Sequence, residues 1–395
     1  MDRFENSPVG RLVPIDVPVA GEMVAQRAFV PHALREGPPL TQATWSVVVQ
    51  AAVELGRLGG MARDLPVEPS ILAGLTVRRE ALSTSALEGT YAPLADVLVG
   101  EVLPRSARTV AVTEVLNFVQ AAEYGTERLG ELPVCVRLAR ELHEILVSGT
   151  PSEDWQKGRV RETQVVIEPG SGVAATDRVA KARFVPTPPG AALLDGLRDW
   201  ERWVHDPAAP HPLVRIAVSH YWFEALHPFT DGNGRIGRLL AVLQLIEAGI
   251  LPAPVVNLSS YFEVRRETYL GLLEKVSLQG AWDEWIVFFC EALASQASES
   301  AQRIRDLLGW RERTIALLQA ESVRGIALNI VEGLIGHPMV TARSVVERHG
   351  VSASTAHQAL RRLGESGVLA EMTGGRYGKV YAAHEVMSLL SRPSA

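Results

Sequence analysis

The segment from His227 to Arg238 is rich in side chains that can do chemistry. It reads His-Pro-Phe-Thr-Asp-Gly-Asn-Gly-Arg-Ile-Gly-Arg. A histidine can take a proton near neutral pH, and the carboxylate of Asp231 can hold a divalent cation. Gly232 and Gly234 let backbone N–H groups turn toward an anion, and the two arginines supply forked donors that suit phosphate oxygens. The segment therefore predicts a phosphate-handling active site.

The residues on either side of this segment predict two helices that it connects. Upstream, apolar residues from Leu213 to Leu226 recur at steps of three and four, which is helical spacing. Downstream, a second apolar run begins at Leu239 and continues to Gly249, a residue type that often ends helices. The segment thus opens the second helix, whose free N–H groups and positive dipole end favour an anion.

Other nucleotide and metal motifs are excluded by their surroundings. Gly232-x-Gly234-x-x-Gly237 matches the dinucleotide-binding pattern, but that pattern needs a preceding strand, and a helix is predicted here. The sequence has no Gly-x-x-x-x-Gly-Lys-Ser/Thr loop, so a P-loop site is excluded. His143 begins like a zinc-protease motif, but Val147 stands where the second histidine would be.

The segment from His227 to Arg238 resembles the signature of the Fic family, His-Pro-Phe-x-Asp/Glu-Gly-Asn-Gly-Arg-x-x-Arg, at every fixed position. Most members use Mg²⁺ and transfer the AMP part of ATP onto a hydroxyl side chain of a target protein. The resemblance implies that His227 is the general base and that Asp231 holds the magnesium ion. It also implies that Arg238 meets the γ phosphate. The other implied nucleotide-binding residues of the segment are Thr230, Gly232, Asn233, Gly234 and Arg235.

A second segment, Thr84 to Gly89, places a hydroxyl and a carboxylate four residues apart, on one face of a helix. Taken alone, Glu88 is typical of a solvated surface carboxylate. The string resembles the inhibitory motif of the Fic family, Ser/Thr-x-x-x-Glu-Gly/Asn, whose glutamate pairs with the second arginine of the signature. The resemblance implies autoinhibition, because an arginine in a bidentate pair with Glu88 cannot also hold a γ phosphate.

A β-hairpin is predicted between these two motifs. Its first arm contains Val165, Val166 and Ile167, its turn lies at 169–172, and its second arm is 182–185. In Fic proteins a hairpin at this place lies over the active site as a flap and aligns the target segment by strand addition. A surface decoration is the alternative interpretation.

Two tyrosines after the second predicted helix, Tyr261 and Tyr269, are candidates for stacking on adenine. The residues around them resemble the segment that follows the signature in Fic proteins. Relatives often carry two adjacent tyrosines where this chain has Tyr269 followed by Leu270. For each tyrosine, a half-buried position between helices is the alternative.

The tail has the order of a winged helix. A helical run from Ser322, a short helix ending at His349 and a helix capped by Ser352 precede two predicted strands, 368–372 and 378–381, with a turn at 374–375 between them. Candidate DNA-binding residues on the capped helix are Gln358, Arg361 and Arg362. Residues 321–395 hold 8 Lys and Arg against 6 acidic residues, a net charge of +2, which is low for a DNA-binding domain. Docking of a protein or formation of a homodimer is the alternative.

Composition and the patterns together predict a mainly α protein. It has a Fic-type helical core with a β-hairpin flap and a C-terminal winged helix-turn-helix domain. We expect an N-terminal extension with the inhibitory helix at 1–104, beginning with an irregular Pro-rich stretch, a catalytic core at 105–305, and a linker helix with the winged-helix domain at 306–395. Of the 395 residues, 47% are apolar and 21% charged, as in soluble globular proteins.

The same composition limits location and partners. No run of eighteen apolar residues and no signal-peptide core occurs, so we expect a cytoplasmic protein without a membrane partner. Cys135 and Cys290 lie far apart in helical patterns and are interpreted as buried thiols. Two function classes stay open: a protein adenylyltransferase, and a nucleotide-sensing DNA-binding regulator. Within the enzyme class, removal of AMP or transfer of another phosphate-containing group also stays open.

Overall fold

The chain is mainly helical, as the sequence predicts. The computed structural model describes residues 1–19, 22–33, 36–64, 69–102, 104–167, 182–208, 210–373 and 378–391. The strands are β1 (Gly10–Val19), β2 (Glu22–Pro31), β3 (Met339–Thr341), β4 (Ala370–Glu371) and β5 (Val380–Ala382). The helices are α1 (Gln42–Asp64), α2 (Pro69–Leu87), α3 (Leu94–Val102), α4 (Val110–Arg128), α5 (Val136–Val147), α6 (Ala191–Val204), α7 (Pro212–Leu226), α8 (Asn233–Glu247), α9 (Leu258–Val264), α10 (Arg266–Gln279), α11 (Trp282–Ala320), α12 (Ile326–Leu334), α13 (Ala342–His349), α14 (Ala353–Glu365) and α15 (His384–Ser391).

The N-terminal segment forms a β-hairpin, so the prediction of an irregular Pro-rich stretch is wrong. β1 and β2 pair antiparallel from Gly10 opposite Pro31 to Val19 opposite Glu22. A two-stranded ribbon tolerates prolines because the N–H groups on its outer edges need no partner in the sheet. The ribbon also contacts the predicted flap, since Val166 packs against Val17.

The centre of the fold is the helix pair α7 and α8. Almost every residue of both helices is buried, which is typical of helices that are enclosed on all sides. Helices α2, α4 and α5 pack against α8, while α6 and α11 pack against α7. The long helix α11 begins at Trp282, as predicted, and packs along α1. The loop between α7 and α8 carries the motif, so the core fixes both of its ends.

The C-terminal unit combines α12 to α15 with an antiparallel sheet of order β3-β5-β4. A capping box at Thr341 begins α13, and the side chain of Ser352 caps α14. The predicted turn at 374–375 falls outside the described residues. Leu98 of α3 packs against Met339 and Val380, so the sheet lies against the helix that follows the inhibitory segment.

Two further expectations concern single residues and membrane spans. Cys135 and Cys290 are both buried free thiols, as predicted. In the parts of the chain that the structure describes, no helix combines the length and the apolar character needed to cross a membrane.

Candidate active site

The histidine of the motif lies directly after the end of α7 and faces a cavity of about 830 Å³. His227 has a left-handed backbone (φ 52°), which is uncommon for a residue other than glycine. Its Nδ1 lies 3.3 Å from the carbonyl oxygen of Glu224, so this nitrogen is the donor and Nε2 is left as the acceptor. Burial, together with the charge of Arg161, lowers the pKa of His227 to about 4. The ring is therefore neutral at pH 7 and can accept a proton.

Arg161 holds this histidine, although it is absent from the residues predicted from the sequence. Its buried side chain donates from Nε to the carbonyl oxygen of His227 at 2.7 Å. It also donates from Nη1 to the carbonyl oxygen of Thr163 at 3.0 Å and from Nη2 to that of Thr187. Burial lowers the pKa of Arg161 to about 10, so it stays charged at pH 7. Every acceptor is a backbone carbonyl, which any residue type provides, so the sequence carries no signal for these bonds.

His143 supports the motif from α5. Its ring stacks on Phe229, with centroids 4.1 Å apart and planes within 2°. The N–H of Gly158 donates to Nδ1 at 3.0 Å, so Nε2 is the donor to the carbonyl oxygen of Asp231 at 3.2 Å. Burial lowers the pKa of His143 to about 4. The histidine that fails the zinc motif is thus a neutral support of the loop, a role that the sequence reasoning missed.

The start of α8 leaves donors open to an anion. Asn233 closes the loop with both ends of its amide, because Oδ1 accepts from the N–H of Phe229 and Nδ2 donates to its carbonyl oxygen, each at 2.8 Å. Gly232 precedes the helix in a left-handed conformation (φ 74°), and no side chain caps the helix. The side chain of Asn233 is therefore occupied, and any contact of this turn with phosphate falls to its backbone N–H groups.

Asp231 is the carboxylate of the motif, and 51% of its side chain is exposed. Its Oδ1 accepts from the next backbone N–H at 2.7 Å, and its Oδ2 accepts from Ser152 and lies 3.5 Å from Arg235 Nη2. Burial raises the pKa of Asp231, but Arg235 and these hydrogen bonds outweigh burial and lower it. A single ionised carboxylate fits Mg²⁺, which also takes water and substrate phosphates as ligands. Thr230 Oγ1 donates to Asp154 at 3.1 Å.

No set of three or more His, Cys, Asp or Glu side chains suited to a metal ion occurs in the described ranges.

Arg235 is buried, and its Nη1 lies 3.3 Å from Glu114 Oε2. The same oxygen accepts from Thr90 Oγ1 at 2.8 Å. Thr90, the residue directly after the predicted inhibitory segment, is therefore linked through Glu114 to the first arginine of the motif.

Arg238 is bound by the predicted inhibitory segment. Its Nη2 donates to Glu88 Oε1 at 2.6 Å, and its Nε donates to Thr84 Oγ1 at 2.7 Å. The pairing is not the expected bidentate fork, because Thr84 takes the second direction. Gly234 makes room for it, since a Cβ there would lie 2.2 Å from Glu88 Oε1. Burial lowers the pKa of Arg238, but the charges of Glu88, Tyr269 and Glu224 and the hydrogen bond to Glu88 together outweigh burial and raise it. Gly89 follows with a left-handed backbone (φ 91°).

The two candidate tyrosines have different positions. Tyr269 lines the cavity, and its hydroxyl lies 2.9 Å from His220 Nε2. One face of its ring stacks on Phe262, with centroids 4.6 Å apart. Tyr261 is not among the residues that line the cavity, and the guanidinium of Arg265 lies 3.9 Å above its ring. Tyr261 therefore does not border this cavity as Tyr269 does, and stacking of adenine on it stays a prediction from the sequence.

The part of the predicted flap that the structure describes borders the cavity. Ile167 lines the cavity, its N–H donates to Phe184 at 2.9 Å, and its carbonyl oxygen accepts from Arg183 at 3.0 Å. Val165 accepts a hydrogen bond from Gln164, and Val166 packs on the N-terminal ribbon. The predicted turn at 169–172 falls outside the described residues. The candidate DNA-binding residues Gln358, Arg361 and Arg362 lie exposed on α14.

Comparisons with known proteins agree with this geometry. Residues 133–245 match the model of the Fic/DOC family, and residues 45–127 match that of the Fic/DOC family N-terminal region. A protein adenylyltransferase fic-1 from Caenorhabditis briggsae is 30% identical over 150 residues, which are 35% of this chain and 27% of that protein. A protein of the same name from Caenorhabditis elegans is 32% identical over 136 residues, 33% of this chain and 23% of that protein. The chain thus spans about a quarter of these curated relatives.

A crystal structure of a Fic family protein from Desulfovibrio desulfuricans G20 is similar over most of the chain. It has a TM-score of 0.56 and 21% identity, and the match covers 89% of this chain and 98% of that one. At this identity the similarity shows the fold alone, and it confirms the predicted Fic-type helical core. Residues 45–127 and 133–245 of this chain belong to the Fic/DOC family.

Proposed function

We propose that this chain is a protein adenylyltransferase that moves AMP from ATP onto a hydroxyl side chain of a target protein. The observation that carries the proposal is the neutral ring of His227, which faces the same cavity as Arg238 and the uncapped start of α8. The names of the two curated relatives, protein adenylyltransferase, support the same reaction.

The proposed chemistry begins at Nε2 of His227, which takes the proton of the target hydroxyl. The hydroxyl oxygen then forms a bond to the α phosphorus of ATP. The bond from that phosphorus to the bridging oxygen breaks, and pyrophosphate leaves. Backbone N–H groups at the start of α8 hold the α and β phosphates, and Arg238 meets the γ phosphate. Asp231 would hold Mg²⁺, which neutralises phosphate charge when bound.

The cavity has the volume and lining that a nucleotide requires. Its volume of about 830 Å³ lies within the range of about 300–1,000 Å³ that is typical of ligand sites. Leu270 and Leu273 of α10 give it an apolar wall beside Tyr269, which suits a purine base. Arg238 and Glu88 line the cavity at the motif, and the charged residues of α10 that also line it, Arg266, Glu267 and Glu274, are each paired with another charge. The lining therefore supports a base at α10 and phosphates at the motif.

Autoinhibition is part of the proposal. Glu88 and Thr84 take the Nη2 and Nε donors of Arg238, so a γ phosphate cannot use those donors while the segment stays in place. Release requires residues 84–89 to move.

The test uses the Glu88→Gly variant with ATP labelled separately at the α and the γ phosphate, alone and with a cell lysate. AMP transfer puts the α label on protein and leaves the γ label in pyrophosphate. Protein labelled from γ alone would instead indicate phosphoryl transfer and overturn the proposal. The Glu88→Gly, His227→Ala double variant is the matched control and should give no label.

A second function class rests on the C-terminal unit, for which we propose a winged-helix domain. The sheet order β3-β5-β4 beside the capped helices α13 and α14 supports this assignment. Exposed Gln358, Arg361 and Arg362 on α14 make DNA the candidate partner, and a second copy of the chain is the alternative. Binding to duplex DNA that weakens steeply with added salt would support DNA contact, and salt-independent binding would exclude it.

The predicted divisions of the chain are also retained as proposals. They place the N-terminal extension at 1–104, the catalytic core at 105–305, and the linker helix with the C-terminal domain at 306–395. Helix α11 runs unbroken through residue 305, which supports a rigid helical linker between the core and the C-terminal unit. A cytoplasmic location stays a prediction from the sequence.

A further inference from the structure

Glu224 is a carboxyl group that lines the proposed nucleotide cavity and that the proposed chemistry does not use. It lies one turn before His227 on α7, and its Oε1 is buried without a hydrogen-bond partner among the described residues. The carboxyl presses against the backbone of α8, since a Cβ on Gly237 would lie 2.5 Å from this oxygen. Buried carboxyl oxygens normally have donors, so this one points to a partner that arrives with a ligand.

The charges around Glu224 come from three other elements. Arg238 of α8 attracts its negative form, while Glu88 at the end of α2 repels it. From α10, the buried hydroxyl of Tyr269 interacts with the same group. His227, which follows the helix that carries Glu224, is neutral at pH 7 and adds no charge. Two carboxyls therefore face one arginine, and Arg238 gives its hydrogen bonds to Glu88 and Thr84.

The remaining charges of the cavity are paired at its rim. Arg3 and Arg183 both bind Glu274, and Arg266 lies 3.2 Å from Glu267. They leave Arg238 as the cation that acts on Glu224. Burial, opposed by Arg238 and assisted by Glu88, raises the pKa of Glu224 to about 7. This carboxyl changes its charge near neutral pH.

We propose that Glu224 takes up a proton from solvent when a nucleotide phosphate displaces Glu88 and enters the space beside Arg238, and that the neutral carboxyl then donates a hydrogen bond to that phosphate. An ionised Glu224 would repel the phosphate and compete with it for the arginine. The neutral form removes the repulsion and adds a donor. Glu224 is thus a positioning residue for the terminal phosphate, and the inference rests on the proposed function.

The direction of the pH dependence follows from proton uptake. Affinity for the nucleotide is highest where Glu224 is already protonated, and it falls as the pH rises through 7. For one group that titrates near pH 7 in the free protein, the dissociation constant of ATP rises by about tenfold between pH 6 and pH 8. The γ phosphate of ATP also titrates in this range, so a variant that lacks only the carboxyl is the necessary reference.

The experiment is calorimetric titration of the full chain with ATP and Mg²⁺ in two buffers of different ionisation enthalpy, which measures proton uptake. Glu224→Gln keeps the size of the side chain and removes its titration. Glu267→Gln, an exposed acid at the rim of the same cavity, is the matched control. We expect the native chain and the control to take up about three quarters of a proton more than Glu224→Gln at pH 7.5, because about that fraction of Glu224 is ionised there in the free protein. Their affinity should also fall about tenfold more steeply between pH 6 and pH 8.

The outcomes separate this inference from the function on which it rests. Equal proton uptake and parallel pH profiles in all three chains, with ATP bound, would overturn the role of Glu224 alone. Failure of ATP to bind to the three chains and also to Glu88→Gly, in which Arg238 is released, would overturn the proposed function as well. A difference confined to Glu224→Gln supports the inference.

Discussion

Arg161 Nε donates to the carbonyl oxygen of His227 at 2.7 Å, and this bond fixes the left-handed backbone that aims the imidazole at the cavity. The same guanidinium binds the carbonyl oxygens of Thr163 and Thr187, which lie at the bases of the two flap arms. One buried cation therefore sets the position of His227 and of the two arms of the predicted flap together.

Replacement of Arg161 by Met should lower the free energy of unfolding by about 3 kcal/mol, because it leaves several buried carbonyl oxygens without donors. When Arg161→Met is combined with Glu88→Gly, the rate of AMP transfer should fall at least tenfold relative to Glu88→Gly alone. Urea unfolding and initial rates measure the two effects. Arg159→Met, at an exposed position two residues away, should change neither. A stable, fully active Arg161→Met chain would contradict the positioning role.

Removal of Glu88 should activate the enzyme more than removal of the hydroxyl of Thr84. Glu88 accepts a hydrogen bond from Arg238 with a charged carboxylate, and such a bond is worth about 1.5–3 kcal/mol. Thr84 accepts its hydrogen bond from Arg238 with a neutral hydroxyl oxygen. We expect the AMP-transfer rate to rise about tenfold or more in Glu88→Gly and only a few-fold in Thr84→Ala. Autoradiography with α-labelled ATP gives both rates. An unchanged rate in Glu88→Gly would exclude inhibition by this contact.

His227→Ala should lower transfer by about 10² to 10⁴ in the activated background and leave the dissociation constant of ATP nearly unchanged. The neutral ring is the active form, so activity should persist at pH 6 and be lost only as the pH falls toward the pKa of about 4. Single-turnover rates and calorimetry separate the two quantities. Equal transfer by the alanine variant would show that another group takes the proton.

Acid should destabilise the fold through His143. Its pKa is about 4 in the folded protein and about 6.5 when unfolded, so the unfolded state binds more protons between these values. Stability from this residue is therefore present above pH 6.5 and lost as the pH falls, by about 2 kcal/mol at pH 5. Urea unfolding of the native chain and His143→Asn at pH 7 and pH 5 measures the difference. The variant should lose about 2 kcal/mol less, and equal losses would contradict the assignment.

The residues found from the sequence and those missed differ in the kind of partner they have. The twelve-residue motif, its flanking helices and Glu88 carry fixed residue types at fixed spacing. Arg161 and His143 bind backbone atoms that lie far away in the chain, at His227 and Asp231, and backbone acceptors leave no mark on the sequence. The N-terminal hairpin could not be predicted, because prolines in a sequence indicate irregular structure rather than strands. A two-stranded ribbon tolerates them because its outer edges need no hydrogen-bond partner.

The contact between the N-terminal ribbon and the flap restricts the direction from which a target can approach. Phe29 of β2 donates to Val185 of the second flap arm at 2.8 Å, while Phe184 pairs with Ile167 of the first arm. The second arm is thus bonded on both sides, as the middle strand of a three-strand layer would be. If the target binds by strand addition, it is left with the outer side of the first arm, so the predicted flap offers one free edge rather than two.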